Sequence, residues 1–134
     1  MGDFVPTDQH ARDLIASALD RNLFVEAGAG TGKTTALVSR IVTLLESGRA
    51  RIESIAAITF TDAAASELRE KVRLELEKRA TGHQEGEKEG RCLEAVRGLE
   101  NASVQTLHAF AGSLLRERPL EAGMVPGFEV VDEI

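Results

Sequence analysis

Ten consecutive residues carry the densest chemistry in the chain: Glu26-Ala27-Gly28-Ala29-Gly30-Thr31-Gly32-Lys33-Thr34-Thr35. Gly28, Gly30 and Gly32 let backbone amides turn inward and approach an anion closely. Lys33 adds a mobile positive charge for the outer phosphates of a nucleotide, and the Thr34 hydroxyl is of the kind that ligates Mg²⁺. The apolar run Leu23-Phe24-Val25 precedes this stretch, and a helical pattern with Leu37, Ile41, Leu44 and Leu45 follows it. Strand, glycine loop, lysine, hydroxyl and helix form the phosphate-binding loop layout, with the positive end of the helix aimed at the same anion. The strict pattern begins with Gly, and here Ala27 holds that position. Glycines alone would fit a structural turn, but the lysine, the hydroxyl and both flanking elements together favour a nucleotide phosphate site over Ala27 to Thr35.

Two further stretches could do chemistry, and the elements around them decide where they sit. Thr59-Phe60-Thr61-Asp62 ends a strand expected over 54–60, in which Ile55-Ala56-Ala57-Ile58 reads as a buried parallel strand. Thr106-Leu107-His108 opens a helix after a short strand at 102–104. Both therefore fall at strand-to-helix junctions, like the glycine loop. The remaining expected elements are a helix capped by Thr7 and running to about Asp20, a strand over 22–27, and a helix over 32–46 closed by Ser47-Gly48. After these come a helix capped by Thr61-Asp62 with Leu68, Val72 and Leu76 on its apolar face, a mobile polar loop at 81–90, and a short helix over 92–99. The helix opened by Thr106 should turn Leu107, Phe110, Leu114 and Leu115 inward and stop at Pro119, with an edge strand over 128–131. Alternating strands and helices predict an α/β fold with a parallel sheet, and the phosphate loop at the carboxyl end of its strand.

The bulk properties bound the rest. With 134 residues and 43% hydrophobic content the chain has room for one domain with a core. It carries no apolar run of the ~18 residues that a membrane span needs, and no secretion signal at Met1-Gly2-Asp3-Phe4. Cys92 is the lone cysteine, which rules out an internal disulfide and suits a reducing cytoplasm. A net charge of −6 argues against a generally basic nucleic-acid coat while leaving room for a local groove.

Taken together, Thr7-Asp8-Gln9, the glycine loop, Thr59-Phe60-Thr61-Asp62-Ala63-Ala64-Ala65 and Thr106-Leu107-His108-Ala109-Phe110 resemble the motifs of UvrD/RecB-like superfamily 1 DNA helicases, in the same order. That family carries a Gln motif, a phosphate loop, a T-F-T-N-x-A-A segment and a T-x-H-x-F segment in its first motor domain. Asp62 stands at the usual Asn position, and Ala63 where Lys is common. The stretch from Leu114 through Pro119 and on through Pro126-Gly127-Phe128-Glu129-Val130 looks most like the exonuclease V beta chain (RecB/AddA-type) branch.

The resemblance implies a P-loop NTPase (RecA-like) three-layer sandwich, here the N-terminal part of motor domain 1A over 1–134. It implies ATP and Mg²⁺ as cofactors and 3′-to-5′ movement on single-stranded DNA. The implied partners are single-stranded DNA, the remaining helicase domains of a longer parent, and other subunits of a helicase-nuclease complex. Gln9 would pair with the adenine edge through its amide, where otherwise it reads as a solvated helix residue. Lys33 would be the catalytic group of the loop and Thr34 the Mg²⁺ ligand. Phe60 would stack on an unpaired base, with a core phenyl ring as the alternative. Thr61, Thr106 and His108 would hydrogen-bond the strand's phosphates or sugars, although Thr106 also suits a helix cap and His108 a structural histidine.

Two other readings stand beside this one. Phe128-Glu129-Val130-Val131-Asp132-Glu133 imitates the Mg²⁺/base motif of an ATP site, but the family form continues as D-E-x-Q and Ile134 follows here. The 134 residues by themselves could accordingly be a non-catalytic nucleotide- or partner-binding module. A small phosphate-loop kinase is disfavoured, because it leaves Thr-Phe-Thr and Thr-Leu-His without a purpose and no arginine-rich lid follows.

Overall fold

A computed structural model describes residues 7–82 and 86–131. Five α-helices, two short 3-10 helices (Ile52–Ser54 and Leu99–Asn101) and two strands occur among them. Helix α1 spans Gln9–Ser17, α2 Lys33–Glu46, α3 Asp62–Gly82, α4 Glu87–Gly98 and α5 Leu107–Glu117. Strand β1 spans Ala56–Thr59 and β2 Ser103–Thr106, and they pair in parallel with Ala57 opposite Val104 and Thr59 opposite Thr106. Parallel pairing needs a crossover, and α3 with α4 supplies it.

The core lies where α2, α3 and α4 meet one face of this small sheet. Val38, Ile41, Val42 and Leu45 recur at helical spacing on α2, and Leu68, Val72, Leu76 and Ala80 on α3. Both stripes are buried, with Val42 and Leu76 at 0% exposure. Cys92 and Ala95 of α4 and Leu99 close the cluster. Burial pushes the Cys92 thiol above its ordinary range, and the negative charge of Glu46 adds to this while Arg79 opposes it. Side chains alternate along β2: Val104 and Thr106 face the core, while Gln105 turns toward α5 and donates to the Ser113 hydroxyl over 3.4 Å.

Polar contacts tie the helices across this core. Arg79 of α3 donates to Thr43 (3.1 Å), Glu46 (2.9 Å) and Ser39 (3.4 Å) of α2 and to Glu75 (3.1 Å) of its own helix. Arg69 reaches the Val104 carbonyl over 2.8 Å. Helix α2 ends as its sequence anticipates: Gly48 takes φ 72° and the Arg49 amide returns to the Leu44 carbonyl.

Several expectations are corrected. Residues 22–27 form no strand, and Phe24 is 93% exposed. Residues 128–131 likewise join no sheet, with Val131 at 85% exposure. A strand is made by its neighbour's hydrogen bonds, and neither run has one among the described residues. Ile58 is 41% exposed, because among the described residues β1 has a partner on one side only and a helix layer chiefly on one face. Leu107 and Leu114 of α5 are exposed as well, and no residue of that helix is fully buried. The polar stretch 81–90 is shorter as a loop than expected: Thr81 and Gly82 end α3, residues 87–90 open α4, and 83–85 lie outside the described residues. Glu87 and Glu89 sit at the positive end of α4 and Glu87 pairs with Arg91 at 2.8 Å, which favours that first turn. The first helix begins after Asp8 with no side-chain cap, so Thr7 does not cap it.

Candidate functional site

Gly30 and Gly32 adopt φ values of 76° and 85°, backbone conformations that side chains resist. They fold the chain into a tight loop, which Thr31 closes by donating its hydroxyl to the Gly28 carbonyl over 2.6 Å. The first helical hydrogen bond of α2 runs from the Ala36 amide to the Gly32 carbonyl at 3.0 Å. The amides of Lys33, Thr34 and Thr35 therefore have no acceptor within the helix. Three such donors at the positive end of a 14-residue helix are the groups an anion site is built from. Lys33 curls back across the loop and donates to the Ala27 carbonyl over 2.8 Å, which leaves two of its three donors free for a phosphate. No carboxylate neutralises it among the described residues. These features fit a nucleotide triphosphate, with the Thr34 hydroxyl on the first turn beside it as a candidate Mg²⁺ ligand.

Helix α1 flanks the loop. A cavity of about 120 Å³ between them is lined by Asp8, Arg12, Ala27, Thr31, Gly32 and Lys33, among others. A second cavity of about 240 Å³ brings Gln9 and Arg12 beside Thr35 and Ser39. Gln9 is thus on the same side of the loop as the helix start, and its amide donates to Asp13 over 2.7 Å. Arg12 donates to the Thr31 carbonyl over 2.7 Å and pairs with Asp8 at 2.9 Å. Its guanidinium holds the Asp8 carboxyl below the usual carboxylate range through that hydrogen bond. Nothing in the sequence marked Arg12 as part of the site. Its spacing of four from Asp8 was visible, but its reach to the loop spans 19 residues and belongs to the tertiary structure.

The second group lies at the sheet edge. A cleft of about 140 Å³ is lined by Thr34, Leu37, Thr59, Ala64, Glu67 and Leu68, so the start of α2 adjoins the end of β1. Glu67 pairs there with Lys71, whose ammonium holds its carboxyl below the ordinary value. Phe60 follows Thr59 and is 94% exposed. The register Thr59 opposite Thr106 puts Thr61 and His108 just beyond paired strand ends, on one edge of the sheet. His108 is exposed on the first turn of α5. Thr61 and Thr106 have the geometry of helix caps: their hydroxyls accept from the Ala64 amide (3.1 Å) and the Ala109 amide (3.2 Å). Thr106 is buried at 9% exposure, which makes the cap its evident occupation. Asp132 and Glu133 lie outside the described residues.

Comparison with known proteins places the sequence in one family. Residues 7–134 fit the family model described as UvrD/REP helicase N-terminal domain. The chain is also similar to proteins named as subunits of an ATP-dependent helicase/nuclease. The one from Desulforamulus reducens is 38% identical over 117 residues, covering 86% of this chain and 9% of the relative. The one from Syntrophomonas wolfei is 36% identical over 120 residues, with 87% and 9% covered. The one from Ligilactobacillus salivarius is 31% identical over 130 residues, with 97% and 10% covered. The chain thus spans only 9% to 10% of the length of these curated relatives.

Proposed function

We propose, because the chain belongs to the UvrD/REP helicase N-terminal domain family, that it is the ATP-binding portion of an ATP-dependent 3′-to-5′ DNA helicase. The parent would be the helicase-nuclease subunit of a cytoplasmic, exonuclease V-type repair and recombination complex. Residues 1–134 then form the N-terminal part of its first RecA-like motor domain. The observation that carries this reading is the junction of two sites in one cleft: Thr34 of the phosphate loop and Thr59 beside exposed Phe60 line the same cavity.

Each residue has a definable task. The free amides at the start of α2 and the Lys33 ammonium hold the β and γ phosphates and stabilise the charge that develops on them. Thr34 supplies a hydroxyl ligand, and bound Mg²⁺ supplies charge neutralisation on the phosphoryl oxygens. Gln9 offers its amide to the adenine edge, once released from Asp13. Phe60 stacks on a base of single-stranded DNA, while Thr61, Thr106 and His108 stand beside the backbone of that strand. Thr61 and Thr106 each accept one capping hydrogen bond, and exposed Thr61 keeps its O–H available to a phosphate, whereas buried Thr106 chiefly fixes the start of α5.

The test is Lys33→Ala in the full-length parent. Loss of DNA-stimulated ATPase by at least 100-fold, with an unchanged melting temperature, is expected. Retained turnover would remove Lys33 from the site and with it the nucleotide reading of the loop.

A further inference from the structure

Helix α1 is attached in an unusual way. None of its residues is buried, so apolar packing holds it weakly. Two arginines grip its ends instead. At the carboxyl end, Arg40 of α2 donates to the carbonyls of Ile15 (2.7 Å), Ala18 (3.0 Å) and Arg21 (3.0 Å). These are orphan carbonyls of a helix terminus and the turn after it, and a guanidinium fork suits them better than any other side chain. At the amino end, Arg12 spans from Asp8 to the Thr31 carbonyl of the phosphate loop. Its approach is close: a Cβ on Gly32 would stand 3.0 Å from its Nη1.

We propose that Arg40 and Arg12 are positioning residues that fix α1 against the phosphate loop, and so set the separation between the base and the triphosphate of a bound nucleotide. The inference rests on α1 as the base-side element and the loop as the phosphate-side element. Their roles differ by where they attach. The hydrogen bonds of Arg40 go to α1 and the turn after it, with none to a loop carbonyl among the described residues, so its loss chiefly frees the base side. Arg12 touches the loop itself, so its loss disturbs phosphate binding too. Length of side chain is not what matters, since methionine matches arginine's stem but supplies no donors.

The experiment measures two dissociation constants in the full-length protein, for ATP and for inorganic tripolyphosphate, both with Mg²⁺. Arg40→Met should weaken ATP about tenfold and leave tripolyphosphate within twofold of the parent value. Arg12→Met should weaken both ligands by comparable factors. Equal weakening of both ligands by Arg40→Met would show general loss of structure and overturn the proposal, as would unchanged ATP affinity. Tripolyphosphate affinity untouched by Arg12→Met would overturn the loop brace. Gln9→Ala separates this inference from the assignment beneath it. If Gln9→Ala leaves ATP affinity intact while Arg40→Met lowers it selectively, Gln9 is not the base contact and the positioning role of Arg40 stands. If Gln9→Ala lowers ATP affinity and Arg40→Met does not, the positioning role falls and Gln9 keeps its assignment.

Discussion

Phe60 leaves 94% of its surface in water at the end of β1, while Ala57, three residues earlier, is buried. Type alone assigns a phenylalanine to the core more readily than to a ligand, so its sequence could not separate the two. Its exposure argues against the core reading, because a ring that packs on nothing among the described residues contributes nothing to that core. Phe60→Ala in the full-length protein should therefore weaken single-stranded DNA binding by roughly 5- to 100-fold, the effect of losing one stacked base. Melting temperature and ATP affinity should be unchanged. Fluorescence anisotropy with a labelled oligonucleotide reads the first and thermal denaturation the second, and a large drop in melting temperature with intact DNA binding would return Phe60 to the core. The phosphate loop was legible at this scale because its chemistry is local: glycine, lysine and hydroxyl lie within a few bonds of one another. Arg12 and Arg40 were not legible, since their acceptors are carbonyls 19 to 25 residues away, which any residue type provides.

Elements divide along the same line. Helices α2 and α3 were readable because a period of 3.6 residues reports a buried stripe whatever covers it. On α3 the stripe Leu68, Val72, Leu76 and Ala80 is buried, and the polar remainder carries local pairs such as Glu67 with Lys71. Leu76 sits at the centre of that stripe with no exposure. Leu76→Ala should cost about 2–5 kcal/mol, because the cavity left by the missing carbons cannot close fully among α2, α3 and α4. Urea denaturation monitored by circular dichroism measures it, and a cost under about 1 kcal/mol would mean that the α2–α3 seam is loosely packed. Strands were read less well. Apolar runs at 23–25 and 128–131 match the strand pattern, yet a ladder depends on a partner that the run itself does not encode. The apolar side of α5 was read only in part for a similar reason: periodicity turned Leu107, Phe110, Leu114 and Leu115 inward, and the structure half-buries Phe110 and Leu115 but exposes Leu107 and Leu114.

At the scale of the whole molecule, binding and turnover separate. The loop's free amides and the Lys33 ammonium suit the binding of a phosphate, which is a different task from hydrolysis. Hydrolysis also needs a group that orients the attacking water, and translocation needs a second lobe that closes on the nucleotide and reopens. Of the described carboxylates near the loop, Asp8 is engaged by Arg12, Glu67 by Lys71 and Asp13 by the Gln9 amide, while Glu26 lines the cavity between α1 and the loop. Relatives of this chain are about ten times its length, which leaves ample sequence for those missing functions. The 134-residue chain by itself should therefore bind Mg²⁺-ATP detectably and show no ATPase stimulation by single-stranded DNA, whereas the full-length protein should show both. Steady-state phosphate release with and without oligonucleotide decides this, once circular dichroism confirms helical content matching the five helices. Robust DNA-stimulated turnover by the 134 residues would require a water-orienting carboxylate within them. Asp132-Glu133, whose sequence imitates a Mg²⁺/base motif, would then be the pair to substitute first, and Glu26, which lines the cavity between α1 and the loop, the next.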